Sequence, residues 1–462
     1  MNNFNIYEAD LNSIYFIGIG GVSMSGLATI MLDKGVNVAG SDRSDSKILR
    51  NLRNKGADIY IGHSSDNIKN PDLVIYTDAI NDENPEFLEC KKRNIPCIDR
   101  GTFLGQLMKI YDNSIAVAGT HGKTTTTSIL SVLLNESDFD PTILLGGNLA
   151  QIEGNVRIGS KKLLITEACE YKANILKFHP TIGLVLNIDN DHLDFYNSID
   201  DIVDTFKEFV DNIPEDGYLV VNNDDEHSMK IVDNAKCNIR TFGKSEDSYY
   251  RITDLKVNND FTSSYVLIID GKERYNVDLN VIGEHNIINS AAAISASHCC
   301  GADIDYLLKR IKDYIGTSRR LEKKGSCNGF AVIDDYAHHP TEVKATLKAI
   351  KYLNSNKVWC IFQPHTYSRS HALMNDFSES FYDADTVIIT DIYAAREENW
   401  GNVHSENFVE KLTENGVESI YIKDFKDIEK YIKENAKEND IVLTMGAGDV
   451  YEVGESIIEN CN

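Results

Sequence analysis

Short apolar runs recur along the chain, and between them apolar positions return every three or four residues. Ser13–Ile17, Val36–Ala39, Leu73–Tyr76 and Cys97–Ile98 read as strands, with Met24–Asp33 as a helix among them. Strands alternating with helices predict a parallel sheet covered on both faces. The pattern breaks between Leu104 and Asp112 and then restarts with buried-type strands at Ser114–Ala118, Leu163–Thr166 and Ile182–Leu186. Ile199, Ile202, Val203, Phe206, Val210 and Ile213 make a helical stripe behind Ser198, whose hydroxyl suits the N-cap. From Tyr249 to Val281 the pattern is an alternation with turn signals at Asn258–Asp260 and Asp270–Gly271. That predicts a small antiparallel sheet inserted into or beside the main one. A third series follows: Gly329–Ile333, Val358–Phe362, Thr386–Thr390, Ser419–Ile422 and Ile441–Thr444, with a helix over Thr341–Leu353.

A chain of 462 residues exceeds one ordinary core, so two or three domains are expected. Apolar content of 42% and charged content of 25% fit a soluble globular protein. No run approaches the roughly 18 apolar residues of a membrane span. Met1–Asp10 lacks a basic segment and an apolar core, so no secretory signal is expected and a cytoplasmic location follows. Nine cysteines without a CxxC pair suit reduced thiols better than a disulfide framework or a zinc site. A net charge of −25 argues against general nucleic-acid or membrane-surface binding. An anionic substrate must therefore be held by local basic groups and backbone N–H groups.

The strand Ser114–Ala118 runs into Gly119-Thr-His-Gly-Lys-Thr-Thr-Thr-Thr127, which opens a helix. Glycines let successive N–H groups point inward, the helix N-terminus adds partial positive charge, Lys123 adds a full one, and Thr124 offers a hydroxyl to Mg²⁺. The match to GxxxxGK[ST] is incomplete, because Val117 stands at the first glycine position. Hard cations also want carboxylates. Glu167 and Glu170 follow one strand, and Asp189, Asp191, His192 and Asp194 follow another. Singly each reads as a solvated loop residue; as two clusters at the carboxyl ends of neighbouring strands they suit metal bound against a triphosphate.

Gly18-Ile-Gly-Gly-Val-Ser-Met-Ser-Gly26 also joins a strand to a helix, with Asp42 about twenty residues on. It approximates G-x-G-x-x-G with Ser23 in the third glycine position, and it suits NAD, another nucleotide diphosphate or a structural turn. His285, Asn286 and Asn289 lie in Gly283-Glu-His-Asn-Ile-Ile-Asn-Ser-Ala-Ala-Ala293, where amides suit a base edge, or capping and close helix packing. Arg319 and Arg320 suit a phosphate fork or surface salt bridges. Asp334-Asp-Tyr-Ala-His-His-Pro340 and Gln363-Pro-His-Thr-Tyr-Ser-Arg369 each end a strand of the third series, and two such clusters on one sheet edge indicate a site.

Together these segments resemble the Mur ligases of bacterial cell-wall synthesis, over essentially the whole chain. GTHGKTTT, NIDNDHLD, GEHNIINSAAA, SRRLE, DDYAHHP and QPHTYSR stand in the family's order, and GIGGVSMSG is similar to the version in the L-alanine-adding members. The resemblance implies an α/β chain of three domains. These are a Rossmann-like UDP-sugar domain over 1–106, a central P-loop ATPase-type domain with the small antiparallel sheet over 107–316, and a Rossmann-like amino-acid domain over 317–462. It implies ATP-dependent ligation of L-alanine to the lactyl carboxylate of UDP-N-acetylmuramate through an acyl phosphate, with Mg²⁺, in a monomer or homodimer.

By the same resemblance Gly119, Thr120, His121, Gly122, Lys123, Thr124 and Thr125 take the ATP phosphates. Thr124, Glu167 and His192 take the metal, and Asn286, Asn289, Arg320 and Asp335 make further ATP contacts. Gly18, Gly20, Gly21, Ser25 and Asp42 fall to the UDP-sugar, and Tyr336, His338 and Arg369 to the amino-acid end; His338 is a candidate base. Two departures stand out: Glu167-Ala-Cys-Glu170 has a thiol where the family carries an acid, and Ser23 replaces a glycine. Rival readings are a ligase attaching a recycled peptide to the same nucleotide sugar, an NAD-dependent oxidoreductase and a non-catalytic nucleotide sensor.

Overall fold

The computed structural model describes residues 4–6, 9, 11–192, 195–233, 235–395, 397–399 and 403–461. Asp194 of the second acidic cluster and most of the N-terminal ten residues lie outside them. Each of the three α/β series builds a sheet. The chain forms two compact units: Met1–Asn190 with Ser198–Arg251 and Ala291–Arg310, and Asp191–Asn197 with Ile252–Ser290 and Ile311–Asn462.

In the first unit, β1 (Ser13–Ile17), β2 (Asn37–Asp42), β3 (Asp58–Ile61), β4 (Leu73–Tyr76) and β5 (Cys97–Asp99) lie in the order β3-β2-β1-β4-β5, all parallel. The chain reverses direction across the sheet between β1 and β4, so the loop after β1 opens at the switch point where α/β sheets take ligands. β3 is absent from the sequence reading because it is an edge strand, partly exposed along its length.

The unit's second sheet contains β6 (Asn113–Ala118), β7 (Thr142–Leu149), β8 (Gly154–Arg157), β9 (Leu163–Glu167), β10 (Ile182–Val185), β11 (Tyr218–Asn222) and β12 (Asn238–Gly243). β6 sits between β10 and β9, parallel to both, and its own residues are buried from Ser114 to Ala118. The predicted helix is Ile199–Asp211, and Ser198 caps it by accepting from Asp201 N–H. The first residues of β13 (Tyr250–Val257) pair with the end of β12.

In the second unit, β14 (Ser263–Ile269) and β15 (Glu273–Leu279) form the expected antiparallel ribbon, in unbroken register from Ser263↔Leu279 to Ile269↔Glu273. The third sheet has the order β16-β17-β21-β18-β19-β20, from β16 (Glu322–Cys327), β17 (Phe330–Asp335), β18 (Val358–Phe362), β19 (Thr386–Ile389), β20 (Ser419–Tyr421) and β21 (Ile441–Met445). Alternate residues enter two cores: Ile333, Cys360, Phe362 and Leu443 one, Val332, Trp359, Ile361 and Val442 the other. Burial on both faces explains why these strands read as continuous apolar runs. β16 is mostly polar, and its antiparallel edge position made it invisible to that criterion.

The expectation of uniformly reduced thiols does not hold. Cys327 and Cys461 are bridged, Cα to Cα 5.4 Å, across 134 residues of sequence. The terminal helix Tyr451–Glu459 packs on β16, where Lys324 Nζ meets Glu455 Oε1 at 2.8 Å and a Cβ on Gly325 would come within 3.0 Å of Ile458. That packing delivers Cys461 to Cys327. Among the described residues no helix is long and apolar enough to cross a membrane.

Candidate active site

The loop after β6 turns on two glycines in the left-handed region, Gly119 at φ 129° and Gly122 at φ 83°. A side chain at either would be strained, and a Cβ on Gly119 would also lie 3.0 Å from the Asn187 carbonyl oxygen. Gly122 is the N-cap of the helix Lys123–Leu134 and offers no side chain to it, so the first-turn N–H groups are left for an anion. Thr125 is buried in that helix.

Asn187, just past β10, holds His121 by both backbone groups. His121 N–H donates to Asn187 Oδ1 at 2.8 Å, and Asn187 Nδ2 donates to the His121 carbonyl at 3.1 Å. His121 Nε2 lies 2.9 Å from Asp189 Oδ2, and Asp189 N–H donates to Thr120 Oγ1 at 2.9 Å. The Asn187–Asp189 segment thus shapes the phosphate loop, a role the sequence reading missed by weighing only its acids.

Lys123 Nζ donates to the carbonyls of Gly119 and Thr120 and to Glu170, 3.0 Å from Oε2. Burial alone would lower the lysine's pKa, but the Glu170 carboxylate outweighs it and keeps the ammonium charged. Thr124 Oγ1 donates to Glu167 Oε2 at 3.1 Å, and Gly146 N–H donates to Glu167 Oε1 at 2.6 Å. A Cβ on Gly146 would stand 2.8 Å from both carboxylate oxygens, so glycine is what admits Glu167 there. A hydroxyl and a carboxylate side by side are a hard oxygen set of the kind Mg²⁺ takes. Burial pushes the Cys169 thiol up, so it stays neutral beside them.

In the first glycine loop, Gly18 at φ 81° requires its glycine, and Gly21 is the N-cap of the helix Val22–Asp33. Gly18 and Ile19 N–H groups donate to the Ser41 carbonyl. Asp42 is anchored by backbone: Oδ2 accepts from Gly20 N–H at 2.8 Å and Oδ1 from Arg43 N–H at 2.7 Å. Ser25 is buried, and its hydroxyl donates to the Val22 carbonyl at 2.9 Å. Ser23 gains a neighbour instead of leaving a gap: Arg100 Nη1 donates to its Oγ at 3.3 Å.

In the second unit the two adjacent arginines part company. Arg319 bonds Asp334 Oδ2 at 3.3 Å and the Gly446 and Gly448 carbonyls at 2.6 and 3.0 Å, and lies over the rings of Tyr336 and Tyr451. It is structural. Arg320 has its guanidinium 5.0 Å from the Tyr336 ring centroid. Asp335 brackets backbone rather than facing outward, accepting from Leu321 N–H at 2.7 Å and Ala337 N–H at 2.8 Å. Burial pushes its carboxyl up to about 6 despite Arg320.

Asn286 donates to the Ile282 carbonyl at 2.7 Å, which leaves its amide oxygen available, and Asn289 is buried one turn on. Burial, then the Arg320 charge, lowers His285 to about 4. His192 is at φ 57° and its N–H donates to Asp191 Oδ1 at 2.7 Å. Arg369 Nη2 meets the same Asp191 at 3.0 and 3.3 Å. Burial opposes ionisation of Asp191, yet Arg369, then His192 and His338, hold it well below the usual carboxylate range.

His338 Nδ1 lies 3.0 Å from the Tyr336 carbonyl, which can only accept, so Nδ1 carries the hydrogen and Nε2 is the basic nitrogen. His365, absent from the sequence-predicted set, stands between His338 and Tyr393, with ring centroids 5.7 Å from each and a stacked geometry on Tyr393. Burial, followed by His338 and Arg369, lowers it to about 3, so its ring is neutral. Its place in the strand-end segment beside Arg369 was the available signal.

A phosphate-type loop with a charged lysine, a hydroxyl–carboxylate pair and a second glycine loop defines a nucleotide-using ligase site, and the chain belongs to the Mur ligase family. Three of the family's domains match in order: the catalytic domain over residues 13–112, the middle domain over 117–297 and the glutamate ligase domain over 319–448. The chain is 48% identical, over 97% of its length and 96% of the relative's, to the UDP-N-acetylmuramate–L-alanine ligase of Acetivibrio thermocellus. It is 47% identical, over 99% of both chains, to that of Clostridium botulinum strain Okra. Among solved structures it superposes on UDP-N-acetylmuramate-alanine ligase of Thermotoga maritima with a TM-score of 0.82, at 28% identity over 97% of this chain and 98% of that one. A murein peptide ligase from Psychrobacter arcticus shares the fold, with a TM-score of 0.73 at 23% identity over 97% and 98%.

Proposed function

We propose that this chain joins L-alanine to the lactyl carboxylate of UDP-N-acetylmuramate, using ATP and releasing ADP and phosphate. The observation that carries the choice of substrates is identity of 47–48% along nearly the full chain to relatives of that name. The phosphate loop with Lys123 supports the use of ATP independently.

A carboxylate oxygen is a poor leaving group until it is phosphorylated. The lactyl oxygen attacks the γ-phosphorus and ADP departs, giving an acyl phosphate. Lys123 and the first-turn N–H groups of Lys123–Leu134 neutralise charge on the transferring group. Mg²⁺ when bound supplies further positive charge to the phosphates, and Thr124, Glu167 and His192 are the residues that would hold it. The alanine nitrogen then attacks the acyl carbon, and phosphate leaves the tetrahedral intermediate. His338 Nε2 takes the amine proton in this reading, and Arg369 with Tyr336 lies at the carboxylate end of the amino acid.

The reading keeps domain limits of 1–106, 107–316 and 317–462, a cytoplasmic location and a monomer or homodimer. Phosphate release tests it, with UDP-N-acetylmuramate, Mg²⁺ and ATP, and with L-alanine, glycine, L-serine or a preformed tripeptide offered separately. Turnover with L-alanine is expected. Turnover with the tripeptide alone overturns the choice of substrate, and ATP binding without any phosphate release overturns the enzymatic reading.

A further inference from the structure

We propose that Cys90 and Cys97 form an oxidant-sensitive thiol pair, in which Cys97 takes oxygen from a hydroperoxide and Cys90 closes a disulfide on it. Neither thiol enters the ligase reaction proposed above.

Cys90 lies on the helix Pro85–Arg93 and is fully buried. Cys97 opens β5 opposite Val74 of β4, and residues opposite in register share a face of the sheet. Val74 packs there with Phe87 and Cys90 of the helix, and Cys97 packs on the same cluster. Between the two cysteines the chain turns back at Asn94, at φ 54°, and Ile95 N–H donates to the Cys90 carbonyl at 3.0 Å. That turn brings the first side chain of the strand under the end of the helix, and the thiols come within hydrogen-bond reach of each other. Cys97 Sγ donates its own hydrogen to the Ile95 carbonyl at 3.4 Å, so toward Cys90 it accepts. Cys90 is the donor of the pair.

Both thiols line a cavity of about 570 Å³. Phe4 closes one wall, held through its carbonyl by Gln106 Nε2 at 2.8 Å, and the exposed Lys91 and Asn94 stand at the rim. The space admits a small oxidant to Cys97, the more exposed of the two sulfurs. The hydrogen bond from Cys90, with the Lys91 ammonium, holds Cys97 below the usual thiol range against its burial. The same hydrogen bond, then burial, pushes Cys90 up. Burial pushes up each of the other free thiols described: Cys169, Cys237, Cys299, Cys300 and Cys360. Thiolate is the reactive form of cysteine, which directs the oxidant to Cys97.

The Cys97 sulfur attacks one oxygen of hydrogen peroxide, the O–O bond breaks, and the other oxygen leaves as water with the thiol proton. Cys97 is then a sulfenic acid, oxidised by two electrons. The Cys90 sulfur attacks that sulfur, the S–O bond breaks, and the hydroxyl leaves as water with the Cys90 proton. Two thiols and one peroxide thus give one disulfide and two waters.

One equivalent of hydrogen peroxide on the full chain, followed by alkylation in denaturant and tryptic mass mapping, tests this. Trypsin cuts at Lys91, Lys92 and Arg93, so the new bond appears as two linked peptides. Two of the seven free thiols should be lost, Cys90 and Cys97, at least about tenfold faster than Cys299 or Cys300. Dithiothreitol should restore both. In Cys90→Ala, dimedone should trap a sulfenic acid on Cys97; in Cys97→Ser, Cys90 should stay alkylatable. Loss of all seven thiols at similar rates overturns the proposal, as does the absence of the linked peptides. Sulfenic acid on Cys90 in Cys97→Ser overturns the assigned roles. The wild-type map decides by itself where a variant fails to fold.

Discussion

Lys123 Nζ stands 3.0 Å from Glu170 Oε2, with 16% of one side chain and 2% of the other exposed. The carboxylate holds the ammonium within the phosphate loop, together with the carbonyls of Gly119 and Thr120. Removing one partner of such a buried pair leaves a desolvated charge, which costs about 3–5 kcal/mol. Glu170→Gln is expected toward the low end, because Lys123 keeps its carbonyl partners. Urea denaturation should show the loss, and Mg-ATP at about 100 times its Kd should return roughly 2.7 kcal/mol of it. An unchanged unfolding midpoint would show that the pair carries no net stability. Lys123→Met leaves the Glu170 carboxylate unpaired and should lower stability as well, and kcat of the folded fraction should fall by at least about 100-fold.

Thr124 and Glu167 share one hydrogen bond and, in the proposed mechanism, one cation. Thr124→Ala and Glu167→Gln should each raise the Mg²⁺ concentration for half-maximal turnover by about 10- to 100-fold, by the usual effect of losing a supporting group at a metal site. Chelation should stop turnover, and added Mg²⁺ should restore it. A titration curve identical to wild type in both variants removes these residues from the metal.

Neighbouring arginines should give opposite phenotypes. Arg319 is bonded to Asp334, Gly446 and Gly448 and lies over two tyrosine rings, so Arg319→Ala should destabilise the protein by about 3 kcal/mol. Arg320→Ala should melt close to wild type and raise the KM for ATP instead. Calorimetric melting beside steady-state kinetics separates the two; a large loss of stability in Arg320→Ala contradicts the division.

Two buried groups should tilt stability against pH in opposite senses. Asp335 titrates near 6 in the folded chain against 3.8 for a free carboxyl, so the folded state retains a proton that the unfolded chain gives up. Its contribution is full below about 4 and is lost as pH rises through about 6. His285 titrates near 4 against 6.5, so the unfolded chain takes the proton first. Its contribution is full above about 6.5 and is lost as pH falls through about 4. Each effect is on the order of 3 kcal/mol. Urea midpoints between pH 4 and 7 should therefore show Asp335→Asn losing less stability than wild type on alkalinisation, and His285→Gln losing less on acidification.

The pairing of Cys327 with Cys461 leaves Cys90, Cys97, Cys169, Cys237, Cys299, Cys300 and Cys360 as free thiols. Alkylation in denaturant without reductant should label those seven, and all nine of the chain's cysteines after reduction. Nine labels in both arms would mean that the two thiols approach without bonding.

What the sequence determined by itself was local chemistry and the order of elements. Apolar runs marked the strands that are buried on both faces, and glycines flanking Lys-Thr at a strand end announced a phosphate loop, because φ angles and helix ends are local properties. The same reasoning could not see β3 or β16, whose burial depends on being an edge, nor the meeting of two cysteines 134 residues apart. Tertiary structure alone decided which of several equivalent side chains is committed to the protein and which is left for a ligand. It anchored Asp42 and Ser25 to backbone groups and tied Arg319 to Asp334 and to the Gly446 and Gly448 carbonyls. Residue type sets what a group can bond. Only packing sets whether a partner from the same chain has already bonded it.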